Sequence, residues 1–266
     1  MAKLKTLIFI LAFTSLMTQF MPVASAAPYS PLGAVELLKK VDSYRNFKDQ
    51  GFSFDLQLTS KSKRNNKEKV NEFVMHAKVL SSKVSLISYL EPRKEKGKAI
   101  LMNGRNLWFI TKTSRKPIRI TPQQRLVGEA SNGDVASTDF SGDYDPTIEK
   151  WETLEGTRYA VLRLTAKEDS IAAYKSVLLW VGVDNDYKPK QAEFYSGTGK
   201  HLKTAYYKRF EPLANFDNKM QMVEIEIVNA LRTHKRTTMK YSNFKLEQLN
   251  LAQFQPARIK AMVRKL

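Results

Sequence analysis

The sequence predicts a mainly β protein built on one large antiparallel sheet, and three observations carry that expectation. Apolar and polar residues alternate through Phe52–Thr59 and again through Met220–Leu231, the period of a half-buried strand. Short strand candidates recur along the chain, about eleven to thirteen at spacings of roughly 8–15 residues, without the longer repeat of a solenoid. Asn103-Gly104 separates two apolar runs, a strong hairpin signal. Regular short strands favour an antiparallel barrel or sandwich over an α/β fold.

The elements follow in order. Leu32–Phe47 is expected to be the first helix, with Val35, Leu38 and Val41, joined by Leu37 and Tyr44, on one apolar stripe. Next, Phe52, Phe54, Leu56 and Leu58 share one strand face, and Lys61–Lys67 reads as a basic turn. Phe73, Met75, Ala77 and Val79 line one face of the second strand, so they are expected to join Phe52–Leu58 on one concave apolar surface. Lys83–Leu90 is a third strand, and Pro92 makes Glu91–Lys96 a loop.

Beyond the hairpin at Asn103-Gly104 the β pattern breaks, and Val135–Phe140 reads as a helical turn capped by Asp134 or Asn132. Strands resume over Thr147–Leu154, Arg158–Lys167, Tyr174–Asp184, Lys190–Tyr195 and Leu202–Phe210. The most regular late strand puts Val223, Ile225, Ile227 and Leu231 on one face, and Thr233–Leu246 is its partner. Leu249–Leu266 returns to a helical pattern starting near Pro256, a good first-turn residue.

The first 26 residues read as an export signal: Lys3 and Lys5, an apolar run over Leu7–Met17, and Ala24-Ser25-Ala26 as cleavage site. That run is too short to span a bilayer. The expectation is a periplasmic protein cleaved after Ala26, with residues 27–266 forming a single domain, since no Pro-, Gly- or Ser-rich linker divides them. With no cysteine, neither disulfides nor an N-terminal lipid thioether is available. A net charge of +18 favours anionic partners such as phospholipid head groups, envelope polyanions or an acidic protein. Export excludes nucleic acid as a partner.

No catalytic signature emerges. His76, His201 and His234 are scattered, and Asp139, Asp143 and Asp145 lack the oxygen spacing of a calcium loop. Glu149 and Glu152 fall on opposite faces of their strand, and no nucleophile elbow or phosphate loop is present. The expectation is a non-enzyme without metal or cofactor. Fourteen Phe and eleven Tyr can instead line a cavity.

The stretch Gly97–Tyr144 is the most individual. It reads Gly97-Lys-Ala-Ile-Leu, Asn106-Leu-Trp-Phe, Pro117-Ile-Arg-Ile, Gln124-Arg followed by Gly128 and Ser131-Asn-Gly-Asp-Val-Ala, then Asp139-Phe-Ser-Gly-Asp-Tyr. This order resembles the LolA-like outer-membrane lipoprotein-sorting family. It departs where relatives carry a proline soon after the Leu-Trp strand, since Thr111-Lys112-Thr113 intervene here.

The resemblance implies a sheet curled into a half-barrel, with the N-terminal helix, the Val135 turn and the C-terminal helix covering its mouth. It implies a periplasmic carrier for a lipid or for the acyl chains of a lipoprotein. Exposing one long acyl chain to water costs on the order of 10 kcal/mol, so transit needs an apolar shelter. Its expected lining is Phe52, Phe54, Leu56, Leu58, Phe73, Met75, Trp108, Phe140, Val223 and Ile225. Arg119, Asp139 and Asp143 are expected to gate the mouth, Arg119 by pairing with an acceptor in the segment that follows it. The implied partners are an inner-membrane donor, of the resistance-nodulation-division type in longer relatives, and an outer-membrane acceptor. The competing expectation is a non-catalytic envelope protein that holds an anionic polymer or protein through its basic surface.

Overall fold

A computed structural model describes residues 32–47, 50–65, 67–136 and 139–265. The expected signal segment, residues 1–26, lies outside the described residues.

The first strands form a meander: β1 (Phe52–Arg64), β2 (Lys67–Ser81), β3 (Val84–Glu91), β4 (Ala99–Asn103), β5 (Asn106–Ile110) and β6 (Ile118–Ile120). A small hairpin follows, β7 (Arg125–Val127) and β8 (Ala130–Ser131). A second meander comprises β9 (Tyr144–Leu154), β10 (Thr157–Ala166), β11 (Ser176–Gly182), β12 (Lys188–Tyr195), β13 (His201–Leu213), β14 (Lys219–Asn229) and β15 (Arg236–Leu246). Among the described residues three α-helices accompany them: α1 (Ala34–Ser43), α2 (Asn132–Ala136) and α3 (Pro256–Arg264).

The two meanders join where β1 pairs antiparallel with β15, making one 13-stranded sheet that runs from β6 at one edge to β9 at the other. The edges do not pair, so the sheet is a half-barrel and not the closed barrel that short regular strands also allow. Edge strands risk pairing with another chain. Here β6 has three residues, while β9 carries Pro146 and the exposed Glu149 and Lys150.

Register explains the inner face. Leu56 lies opposite Met75 on one side and Tyr241 on the other, and Leu58 opposite Phe73 and Met239. Phe52, Phe54, Leu56, Leu58 and Met75 are buried in one cluster, against which Phe73 packs. The alternation read from the sequence therefore selects the correct face, because a one-residue slip would have turned each side chain outward. Val223, Ile225 and Ile227 of β14 extend the same surface.

Several boundaries differ from expectation. Val35 is 45% exposed and leaves the stripe, while Leu37, Leu38, Val41 and Tyr44 are buried as expected and Asp42 joins them. The basic segment Lys61–Lys67 is not a loop: β1 and β2 stay paired out to Arg64 and Lys67 around Asn65, which takes the left-handed conformation. Backbone ladder bonds sustain this charged hairpin tip without an apolar face. Leu231 lies past the end of β14 and is 72% exposed. Pro256 is the first-turn residue of α3 as expected.

The outer face carries a separate cluster of Leu86, Ala99, Leu101, Ile110, Phe254, Ile259 and Val263. The C-terminal arm, α3 included, lies over this outer cluster and not over the mouth where the resemblance placed it. It is fastened by Asn103, whose side chain donates to the Phe254 carbonyl at 3.2 Å, and by the Lys260 ammonium, which donates to the carbonyls of Thr111 and Lys112.

Candidate functional site

Besides α1, whose Leu37, Leu38 and Val41 are buried in the inner cluster, three pieces of chain cover the inner face, each held by polar contacts. The first is the β7–β8 hairpin. Gly128 has a positive φ of 57°, and a Cβ there would overlap the hydroxyls of Ser60 and Thr237 on β1 and β15. Only glycine permits that approach. The Thr237 hydroxyl then accepts from the Glu129 amide at 2.8 Å.

The second piece is α2. A five-residue helix is marginal in water without tertiary support. The Ser131 amide donates to Asp134 Oδ2 at 2.7 Å, while the Ser131 hydroxyl accepts from the Asp134 amide at 3.4 Å. This reciprocal capping box makes Ser131 the cap, in place of the Asn132 or Asp134 expected, and starts the helix at Asn132, ahead of the Val135 expected. The Asp134 carboxylate also meets the Lys203 ammonium, and its Oδ1 accepts from the Tyr174 hydroxyl at 3.0 Å. Lys203 also donates to the Glu129 carbonyl at 3.0 Å and stands over the rings of Tyr174 and Phe194. Burial, then the Asp134 charge, pushes the Tyr174 hydroxyl far above the usual tyrosine range. At the far end of α2, the Ala136 carbonyl accepts from the Ser85 hydroxyl at 3.0 Å.

The third piece is the turn at 139–143. Its Phe140 and Ser141 amides donate to the two carboxylate oxygens of Asp42, each at 2.8 Å. Asp139 Oδ1 accepts from the Ser141 hydroxyl at 2.8 Å and the Gly142 amide at 3.1 Å. Burial, then the neighbouring Asp139 carboxylate, raises Asp42 to about 7. Burial works against ionisation of Asp139 too, but hydrogen bonds from Asp42, Ser141 and Gly142 hold it below the ordinary value. The opposed shifts mark a coupled pair in which Asp42 holds the proton more readily than Asp139.

Beneath these pieces lies an apolar cavity of about 60 Å³, lined by Phe140, Tyr174, Phe194, Tyr207, Ile225 and Met239 among others, with Arg45, Asp134, Asp139 and Asp143 at its polar margin. Arg45 stands over the Phe140 ring at 5.1 Å. A space of that size holds only a few waters. A second recess of about 20 Å³ touches Phe54.

The anticipated lining therefore divides. Phe140 and Ile225 reach the cavity, and Asp139 and Asp143 stand at its margin. Phe52, Leu56, Leu58, Met75 and Val223 belong to the solid core beside it, with Phe73 packed on that core. Trp108 is misplaced: Leu107 and Phe109 face inward, so Trp108 packs on the outer cluster beneath the C-terminal arm. Arg119 lies opposite Trp108 on edge strand β6 and is exposed, and among the described residues its side chain has no hydrogen-bond or ion-pair partner. It therefore does not pair with the segment that follows.

Asp42, Arg45, Asp134, Tyr174, Phe194, Lys203 and Tyr207 were missed. Two left a trace. Asp42 falls four residues after Leu38 on the buried helix stripe, and Lys203 is in phase with Ala205 and Tyr207. A charge at an apolar position is the signal of a buried polar contact. Among the described residues, no group of His, Asp or Glu is arranged to hold a metal ion.

A family model described as "Uncharacterized protein" matches residues 81–261. No curated protein matches the chain by sequence. Among solved structures, a LolA superfamily protein from Nitrosomonas europaea is 32% identical, with 84% of this chain and 98% of that one covered and a TM-score of 0.76. A putative outer membrane lipoprotein-sorting protein domain from Vibrio parahaemolyticus is 18% identical, covering 85% and 98% at a TM-score of 0.69. A DUF1329 family protein from Desulfovibrio piger is also 18% identical, covering 85% and 97% at 0.68. With this sheet, this covering and this degree of identity, the chain belongs to the LolA superfamily.

Proposed function

We propose that this protein is a periplasmic carrier that shelters a lipid, or the acyl chains of a lipoprotein, on the inner face of its half-barrel and passes them toward the outer membrane. The observation that carries the reading is the nature of the covering. The apolar inner face is closed by short segments held through discrete polar clasps, Asp42 on the 139–143 turn and Lys203 on α2. A cover of that kind can be displaced as a unit without dismantling the sheet. The empty space is far too small for an acyl chain, so loading requires the cover to move, and the chain then replaces the apolar contacts of Phe140, Val135 and Ala136. Each sheltered methylene contributes about 0.8 kcal/mol, enough in sum to offset a few broken hydrogen bonds.

The name of the Vibrio parahaemolyticus relative, a lipoprotein-sorting protein domain, supports the same class of cargo. A donor in the inner membrane and an acceptor in the outer membrane follow from the energetics of moving such cargo. Binding and release suffice, so no bond chemistry is assigned. Mass spectrometry of lipids retained through native purification tests the proposal. Stoichiometric lipid is expected; protein that stays lipid-free after incubation with envelope lipids would count against it.

A further inference from the structure

A groove of about 340 Å³ opens on the outer face, separated from the inner cavity by the sheet itself. Its floor is Leu86 and Ser88 of β3 with His76 and Lys78 of β2, and its far wall is Leu249, Phe254, Ile259 and Met262 of the C-terminal arm. Arg258 and Gln253 stand on the rim. The size is at the low end of the roughly 300–1,000 Å³ typical of small-molecule sites, suited to one chain rather than two. An apolar trough with a few convergent polar groups is the usual build of such sites.

The charges specify the head group. His76 is engaged by Asp55 at 2.7 Å and Lys78 by Glu247 at 2.6 Å. Lys260 is turned inward onto the carbonyls of Thr111 and Lys112. Arg258 is exposed, and among the described residues it has no carboxylate partner. The arm from residue 248 to 265 contains Arg258, Lys260, Arg264 and Lys265 and no acidic residue. A guanidinium matches a carboxylate with two parallel hydrogen bonds. Met262 at the groove and Leu251 nearby on the arm are 38% and 51% exposed, so apolar surface is available to a chain lying there.

We propose that this outer groove is a second ligand site, which binds one single-chain anionic amphiphile of the fatty-acid type, with its chain on Leu86, Phe254, Ile259 and Met262 and its carboxylate on Arg258. The site is independent of the inner cavity.

The tryptophans allow a direct test, because Trp108 packs on the outer cluster and Trp151 on the inner one. Variants that keep one of these two, with the other tryptophans changed to Phe, are titrated with dibrominated stearate below its aggregation concentration. Saturable quenching of Trp108 is expected. Arg258→Glu should raise the half-saturating concentration roughly tenfold or more, with unchanged thermal unfolding and unchanged quenching of Trp151. The neutral methyl ester should bind roughly tenfold more weakly as well. Because the chain lacks cysteine, Met262→Cys gives a second measure that keeps all tryptophans: its alkylation should slow with the same fatty acid and recover in Arg258→Glu. No quenching of Trp108 together with no protection in the Met262→Cys variant, an ester as tight as the acid, or an unaffected Arg258→Glu variant would each overturn the proposal. Failure at Trp108 with quenching of Trp151 would leave the carrier reading standing.

Discussion

The carboxylate of Asp134 and the ammonium of Lys203 form an ion pair in which both side chains are at least nine-tenths buried. It joins α2 to β13 beside the inner cavity, which Asp134 helps to line. Removing one member of a buried pair leaves an uncompensated charge and costs about 3–5 kcal/mol. Asp134→Ala should therefore lower the urea midpoint strongly, and also loosen α2 by destroying the Ser131 capping box. Adding Lys203→Met to Asp134→Ala should recover much of the loss. Equal midpoints for the single and double variants would show that the buried ammonium is not the source of the penalty.

The Asp42 carboxyl sets a pH dependence. Its value rises from an ordinary 3.8 to about 7 in the fold, so between those limits the folded protein binds more proton than the unfolded chain. Stability from this group is complete below about pH 4 and falls as pH rises through 7. Asp139, held below its ordinary value, acts in the opposite sense and only at lower pH. Thermal unfolding of the wild type should therefore show a decline from pH 5 to 7.5 that Asp42→Asn flattens, at the expense of one side-chain acceptor for a backbone amide. An identical slope in both proteins would remove Asp42 from the account.

Core and cavity positions should separate. Leu58 is fully buried in the solid core, so Leu58→Ala should cost about 2–5 kcal/mol with lipid binding retained in the folded fraction. Ala205 lines the cavity. Ala205→Leu should cost about 1–3 kcal/mol through overpacking and reduce lipid capture. Denaturant titration beside a lipid-binding assay distinguishes the two behaviours.

Arg119→Ala should change stability by less than about 0.5 kcal/mol and leave lipid binding intact. The side chain is exposed on β6 without a partner among the described residues. Loss of lipid binding would reinstate it as a residue of the mouth.

Strand alternation made the inner face readable: Phe52 to Leu58, Met75 and Ile225 all lie where a period of two puts them. The same rule applied to β5 would have placed Trp108 outward, since it alternates with Leu107 and Phe109. The family resemblance had drawn it into the cavity instead. The clasps were illegible for another reason. Asp42 meets the amides of Phe140 and Ser141 across nearly a hundred positions of chain, and Lys203 meets Asp134 across 69. Local periodicity marks such residues as out of place without saying what they will meet.

The displaceable cover is the central claim, and hydrogen exchange over residues 131–136 and 139–144, with and without bound lipid, tests it most directly. These amides include Phe140 and Ser141, which are bonded to Asp42, while the amides around Ile225 sit inside the sheet between β13 and β15. The account predicts that lipid loading changes exchange in the covering segments and leaves the Ile225 strand protected. Identical exchange in both segments before and after loading would contradict it and make the covering plain scaffold.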